Sequence, residues 1–509
     1  MDNLLKWRNF MKKLIEKVTR IIKNHDNIFV LILIAIVVVA KVYNVPLNAG
    51  DESYNFLNSY KLANGLTIYK DSNVIQTPLF FYISSIFLKI FGENILVYRT
   101  FNLIISAFTF FLCYVILKEL KVNKKFSLLY TLLIIALTSS IVSGGANYNV
   151  LAYGFYLLGF YLILKLPRGT FKSIIQGLMI FIVFLTYQKL GVSYFVAIIA
   201  YEIINKDIKS LFKELLTALL LLIAFIIYLY IQGNLFDFVN YAILGISEFG
   251  EKNWAIEGNI FSILLFLLIP IITFLATIII IKTIKTRLKL KNEKDIINQM
   301  CFTFAFSICT YIIIIPIVNV YHVYLASILM IINLMYIIHF LIKPIIEEES
   351  IKTIINTIIL CIIIVFLVNN GKGLWEYKYS EKYTSKRSPY YGATIDAELD
   401  ETIRNVSDYI QNNDKNTIVL STYAPLISLN LNDLDNKDFD LPLRGNLGKN
   451  GEKGLIEKIK KLKNTQILLL HETEDEKELY QFAYDVADYI RQNFTYIGQV
   501  NKFDIYEIE

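Results

Sequence analysis

The chain has 509 residues, 55% of them hydrophobic and 18% charged, with a mean hydropathy of +0.50 and a formal net charge of +6. That balance lies outside the range of soluble globular proteins, so the chain reads as a polytopic α-helical membrane protein. The positive charge sits largely in short connectors between apolar runs, where membrane topology accounts for it, and it does not signal a nucleic-acid partner.

In chain order, residues 1–26 form a basic segment, expected in the cytoplasm. The first apolar run begins near Ile28 and lacks a small-residue cleavage site, which predicts an uncleaved first span. Apolar runs near the length of a bilayer crossing fall at 28–46, 94–117, 126–142, 148–164, 173–187, 190–204, 214–232, 260–281, 300–317, 322–341 and 352–368, about eleven spans. The connectors alternate in charge: those at 1–26, 118–125, 165–172, 206–213, 282–294 and 342–352 hold roughly 25 Lys and Arg, whereas the intervening set holds a handful. The stretch 78–91, PLFFYISSIFLKIF, is too short to span, and counting it would send KTIKTRLKLK outside; it is expected as an interfacial helix on the outer face. The predicted organisation is therefore a cytoplasmic N-terminus (1–26), a transmembrane domain (27–368) with a first outer loop at 47–93, and an extracytoplasmic domain (369–509).

That outer loop opens with NAGDESYNFLNSYKLANG, an adjacent acid pair a few residues beyond the first span. Ionisable groups at such a boundary are costly unless solvated or used, which makes Asp51 and Glu52 candidates for chemistry. The plainer reading makes them caps of a helix ended by Gly65. The two are compatible, because a helix N-terminus stabilises an ionised carboxylate suited to accept a proton.

The order that follows, Asp51, Glu52, Tyr54, Gly65, Tyr69, Asp71, Pro78, Tyr82, Gly92 and Arg99, resembles the first outer loop of GT-C type integral-membrane glycosyltransferases, the class of the protein O-mannosyltransferases and aminoarabinose transferases. The resemblance covers roughly residues 28–120, and the remainder is similar in hydropathy and span number. It implies an inverting transfer of a sugar from a polyprenyl-phosphate carrier to a cell-envelope glycan, lipid or protein on the outer face, with Asp51 as catalytic base, Glu52 assisting, and Tyr54, Tyr69 and Asp71 near the substrate. One departure stands out. Where many members carry a second acid, SGGANYNVLAYG has Asn147 and Asn149, which can hydrogen-bond a sugar or share a divalent cation but cannot act as bases.

Cations are scarce on the predicted outer face, so Arg99 and Lys189, in TYQKLGVSY, are candidates for a lipid phosphate, with span-end snorkelling as the alternative. His322, in IIPIVNVYHVYLAS, is a candidate donor to phosphate or sugar. The outer connector 233–259, with Trp254, reads as an interfacial helix with an aromatic anchor, in preference to a lid. Cys113, Cys301, Cys309 and Cys361 all lie in apolar stretches, which predicts neither a disulfide framework nor a cysteine zinc site.

From about residue 395 short apolar runs such as NTIVLST and QILLLHE alternate with amphipathic stretches, predicting a small α/β domain with a partly parallel sheet. GNLGKNG is turn chemistry without a dinucleotide site, and His471 reads as a strand end. High Ile, Lys and Asn content points to a bacterial plasma membrane. Two rival readings remain: a transporter or flippase of lipid-linked glycan, which predicts broken helices and charges deep in several spans, and a non-catalytic glycan-binding relative, which predicts that Asp51 is dispensable.

Overall fold

The computed structural model describes residues 26–252, 254–288, 293–346, 383–384, 389–471 and 483–508. The basic N-terminal segment and the run at 352–368 lie outside the described residues. The helical part comprises α1 (Asp26–Tyr43), α2 (Asp51–Ala63), α3 (Leu79–Phe91), α4 (Ile95–Glu119), α5 (Lys124–Thr138), α6 (Tyr148–Lys165), α7 (Thr170–Thr186), α8 (Gln188–Asn205), α9 (Ile208–Ile231), the short α10 (Leu235–Phe238) and α11 (Gly245–Lys252), α12 (Ile260–Thr283), α13 (Glu293–Cys309) and α14 (Val320–Ile346).

Among the described residues seven helices, α4, α5, α6, α9, α12, α13 and α14, are long and apolar enough to cross a membrane. Their outward surfaces agree. On α9, Leu216, Leu219, Leu220, Ile223, Ile226 and Ile227 are exposed, and only 17% of its apolar window is buried, against 72% for α4 and α14. Such apolar faces are stable against lipid and not against water, which places α4 and α14 centrally and α9 at the rim. Backbone donors at helix starts lack intrahelical partners, and side chains supply acceptors: Asn94, Asn123, Asn147, Asp207 and Asn259 each accept from a backbone N–H at the start of α4, α5, α6, α9 and α12.

The segment 47–93 folds over one pole of this array. Helix α3 leaves and returns to that pole: before it, Thr77 Oγ1 donates to the carbonyl of Phe184 in the last turn of α7, and after it Glu93 accepts from Asn64 just before the chain enters α4. Phe80, Phe81 and Leu88 of α3 share a core with Phe56 and Leu57 of α2, Phe101 and Ile105 of α4, and Tyr390, Leu426 and Leu441 from the C-terminal part of the chain.

That C-terminal part holds two short strands, β3 (Tyr383–Thr384) and β4 (Thr394–Ile395), then α15 (Ala397–Gln411), β5 (Asn416–Leu420), α16 (Ala424–Leu431), α17 (Gly451–Ile459), β6 (Thr465–Leu470), α18 (Tyr484–Asn493), β7 (Thr495–Val500) and β8 (Phe503–Ile508). The four-stranded sheet runs β5-β6-β8-β7, parallel between β5 and β6 and antiparallel elsewhere. His471 closes β6 by pairing its Nδ1 with Asp504 at 3.0 Å. Backbone bonds from Leu47 to Thr394 and from Ile95 to Pro389 tie this part of the chain to the loop.

Candidate functional site

The acid pair occupies the first turn of α2, but neither carboxylate caps it: Gly50 is the N-cap residue and no side-chain cap bond is made. The two acids have different surroundings. Glu52 is buried and forms a two-pronged ion pair with Arg99 of α4, Nε to Oε1 at 2.7 Å and Nη2 to Oε2 at 3.0 Å. Arg99, fully buried, also donates to the carbonyls of Val45 (2.9 Å) and Pro46 (3.4 Å), and the Asn48 N–H donates to Glu52 at 3.1 Å. One face of α4 thus fixes the chain as it leaves α1, and the same face holds a second loop: Tyr98 donates to the carbonyl of Ala146, and Asn102 to those of Ser143 and Gly144.

Glycine is required in that second loop. A Cβ on Gly144 would lie 2.8 Å from Arg99 Nη2, and one on Gly145 2.4 Å from Glu52 Cγ. Any side chain there would push the loop off the ion pair.

These contacts line up one wall of a cavity of about 800 Å³. Its lining comes from the ends of α1, α6, α8 and α14 and the loops between helices at the same pole. Asp51, Glu52, Tyr54, Asn147, Asn149, Lys189 and His322 all line it, brought together from segments far apart in the sequence. Asp51 is exposed, but to this space within the protein, and desolvation there raises its pKa above the ordinary carboxylate range. Among the described residues its carboxylate has no hydrogen-bond or ion-pair partner, in contrast to Glu52 one residue on.

Lys189 donates to the carbonyl of Ile315 at 2.6 Å and lies 5.7 Å from the ring centre of Phe249. His322 Nδ1 is 2.9 Å from the carbonyl of Ile317, so this nitrogen carries the proton and Nε2 is left for another partner. Asn147 is spent on capping α6 through the Asn149 N–H at 2.8 Å.

Arg99, a phosphate candidate from the scarcity of cations, and Tyr69 and Asp71, placed near substrate by the family resemblance, do not line the cavity. Arg99 is held behind the wall by Glu52. Tyr69 is buried with a positive φ of 66° and donates to the carbonyl of Gln76 at 2.7 Å, and Asp71 accepts the Thr67 N–H at 2.6 Å. Both serve the turn between α2 and α3, a local use that Asp and Tyr can serve without any ligand. Tyr54 does line the cavity and donates to Asn73 Oδ1 at 3.0 Å.

The connector 233–259 is also not a plain interfacial helix. It breaks into α10, a π-helical turn, α11 and a strand, β1 (Ala255–Glu257), which pairs in parallel with β2 (Ile317–Asn319) just before α14. Trp254 remains exposed, while Phe249 and Glu257 enter the cavity wall. Neither was legible as a site residue, because a three-residue parallel pair has no periodicity to detect.

A strap between α16 and α17 closes the remaining side, with Leu441, Leu443 and Asn446 on the cavity. It is latched to α2 by a fully buried pair, Lys61 Nζ to Asp440 Oδ2 at 2.5 Å, and to the connector by Lys437 with Asp237 at 3.2 Å and the Lys449 N–H with Asn240 at 3.1 Å. Burial pushes the Asp440 carboxyl up to about 7, with the Lys61 ammonium opposing the shift.

Among the described residues no group of three or more His, Cys, Asp or Glu is placed to hold a metal ion. Asp51 with the Asn147 and Asn149 amides is a sparse donor set beside the carboxylate-rich sites that hard cations prefer. No family model and no curated protein matches the chain.

Proposed function

We propose that the chain is a GT-C type membrane glycosyltransferase that moves a sugar from a polyprenyl-phosphate carrier to a cell-envelope acceptor at the outer face. The observation that supports it best is the division of labour in the acid pair: Glu52 is neutralised by Arg99, while Asp51 is left unpaired in a large cavity at the helix ends. An unpaired carboxylate in a desolvated site is destabilising, and proteins retain such groups where they do chemistry.

In the reaction, an acceptor hydroxyl gives its proton to Asp51 as its oxygen bonds to the anomeric carbon from the face opposite the phosphate. The bond from that carbon to the phosphate oxygen breaks, inverting the centre and releasing polyprenyl phosphate. Lys189 supplies a donor where charge develops on the leaving phosphate, while His322, with its proton on Nδ1, offers Nε2 as an acceptor to a sugar hydroxyl and not as a donor to the phosphate. The transferase reading carries a topology with it: about eleven spans with the N-terminus in the cytoplasm and the C-terminal α/β domain outside, in a bacterial plasma membrane. The return of α3 to its own pole supports the count, since a crossing there would put Arg99 and Glu52 on opposite sides.

The test is transfer of labelled sugar from a pool of polyprenyl-phosphate sugars into cell-envelope fractions by membranes holding the wild type, Asp51→Asn or no protein. Loss of a general base predicts a drop of about 10²-fold or more in Asp51→Asn at equal expression. Unchanged transfer in that variant refutes the assignment of the base, and no transfer by the wild type from any donor favours transport or glycan binding.

A further inference from the structure

The cavity wall beside Asp51 contains buried polar atoms with no partner. Asn55 Oδ1, Gln76 Oε1, Asn149 Oδ1 and Tyr321 Oη all lack one, and all four residues line the cavity. The three amides are 2%, 7% and 3% exposed, so water reaches them poorly. Buried polar atoms are nearly always hydrogen-bonded, and each that is not destabilises the fold. Four at one wall call for a common cause.

Three of them, Gln76, Asn149 and Tyr321, lie close together, and Asn55 lines the same cavity. The Tyr148 phenol lies near Gln76, Asn149 and Asp51, and the Tyr321 phenol near Asn149 and Asp51. Side-chain amides and phenols donate and accept, as sugar hydroxyls do, and the broad terminal torsion of an amide lets it turn toward a ligand. The cluster contains no cation. A sugar carboxylate would have Asp51 beside it, with Lys189 of the same cavity committed to the Ile315 carbonyl, while a sugar ammonium would pair with Asp51 and take away its basicity.

We infer that Asn55, Gln76, Asn149 and Tyr321 form the subsite for the hydroxyls of an uncharged pyranose ring, set against the Asp51 carboxylate. The assignment of that ring as the transferred sugar rests on the glycosyltransferase reading; the subsite itself rests on the orphaned atoms. The amides are kept despite their cost to the empty protein because the ligand completes their hydrogen bonds.

The experiment is saturation-transfer NMR on the full chain in detergent micelles, with methyl hexopyranosides, methyl glucuronide and methyl glucosaminide as probes. Wild type is expected to saturate ring protons of one or more uncharged hexosides and neither charged glycoside. Asn149→Leu and Tyr321→Phe each weaken that binding about three- to tenfold, the cost of one hydrogen bond. Tyr321→Phe removes a single oxygen and guards against a folding artefact, and Asn149→Leu, which removes an orphan, leaves thermal stability equal to or above that of wild type. Equal signals from all three probe classes, no signal from any, or variants that bind like wild type would overturn the subsite. Hexoside binding with the expected losses, alongside undiminished sugar transfer in Asp51→Asn, would uphold the subsite and sink Asp51 as base.

Discussion

The Glu52–Arg99 pair provides the sharpest test of how the acid pair is used. Both side chains are essentially removed from solvent, at 6% and 0% exposure, and the guanidinium contributes four hydrogen bonds to Glu52 and the 45–46 backbone. Breaking a buried pair from one side leaves an uncompensated charge and costs about 3–5 kcal/mol, whereas replacing both partners by groups of similar shape costs much less. Glu52→Gln and Arg99→Met are each expected to lose stability in that range, and the double variant to recover a large part of it. Arg99→Lys should fall between, since it keeps the charge and loses the fork that reaches two carbonyls at once. Unfolding in detergent can be followed with a thiol-reactive fluorophore in a background where Cys301, Cys309 and Cys361 are replaced by alanine, because Cys113 of α4 is buried in the folded protein and labels only as the bundle opens. Glu52→Gln as stable as wild type, or a double variant no better than the sum of the singles, would refute the anchoring role. Loss of transfer with full stability would return Glu52 to the list of proton acceptors.

Further outcomes are expected. Asp51 has a raised pKa in the folded protein, so the stability it allows below its unfolded value is lost as pH rises through the folded one; Asp51→Asn should therefore melt higher than wild type at pH 7, with the gap closing toward about pH 3, below the unfolded aspartate value. The same shift places the acid limb of the transfer rate above the ordinary aspartate value of about 3.9, and a limb at or below that value would show that Asp51 is not the titrating group. Gly145→Ala, whose new Cβ would sit 2.4 Å from Glu52 Cγ, should lose about 1–3 kcal/mol by displacing the loop, read in the same thiol-labelling melt. Lys61→Met leaves Asp440 buried without its partner and should speed proteolysis of the strap near residues 437–449. Because burial raises the Asp440 carboxyl to about 7, that docking should tighten as pH falls from 7 toward the ordinary aspartate value of about 3.9 and change little above 7; a cleavage rate independent of pH across that window would remove Asp440 from the latch.

The helices were legible because their signal is local. Apolar length predicted runs that coincide with α4, α6 and α12 to within a few residues, while α9 starts earlier, at Ile208, and α14 runs on to Ile346; an Asn or Asp at most starts explains the boundaries. Pro270 inside α12 did not mislead, since a proline within an apolar run of that length is tolerated in a bilayer setting. The site was legible only in part. Asp51, Tyr54, Lys189, His322 and the two asparagines stand out as polar residues at helix ends, and the fold gathers them. Glu257, Phe249 and the strap could not be found that way, because a loop's partner is decided by tertiary contact and leaves no periodic trace. Arg99 failed for a different reason. Its rarity on that face was a true signal, but rarity marks a buried partner as readily as a ligand contact, and only the position of Glu52 separates the two.

The adjacent carboxylates at 51 and 52 show why one residue of helical offset suffices to divide roles. Successive residues on a helix point about 100° apart, so an acid pair in a first turn sends one carboxylate back toward the bundle and the other outward. Here the inward one meets Arg99, and the paired glycines allow the 143–146 loop to close over that contact. Closing the loop brings Asn147 to the start of α6 and places Asn149, the second residue of that helix, at the cavity wall near Asp51. The anchor and the open carboxylate are therefore coupled through geometry and not through charge: removing the ion pair should displace Asn149 along with the loop. Glu52→Gln is then expected to weaken hexoside binding as well as stability, an effect that a purely electrostatic role for Glu52 would not produce. Binding unchanged in a destabilised Glu52→Gln variant would show that the loop holds its place by the bonds from Tyr98 and Asn102 alone.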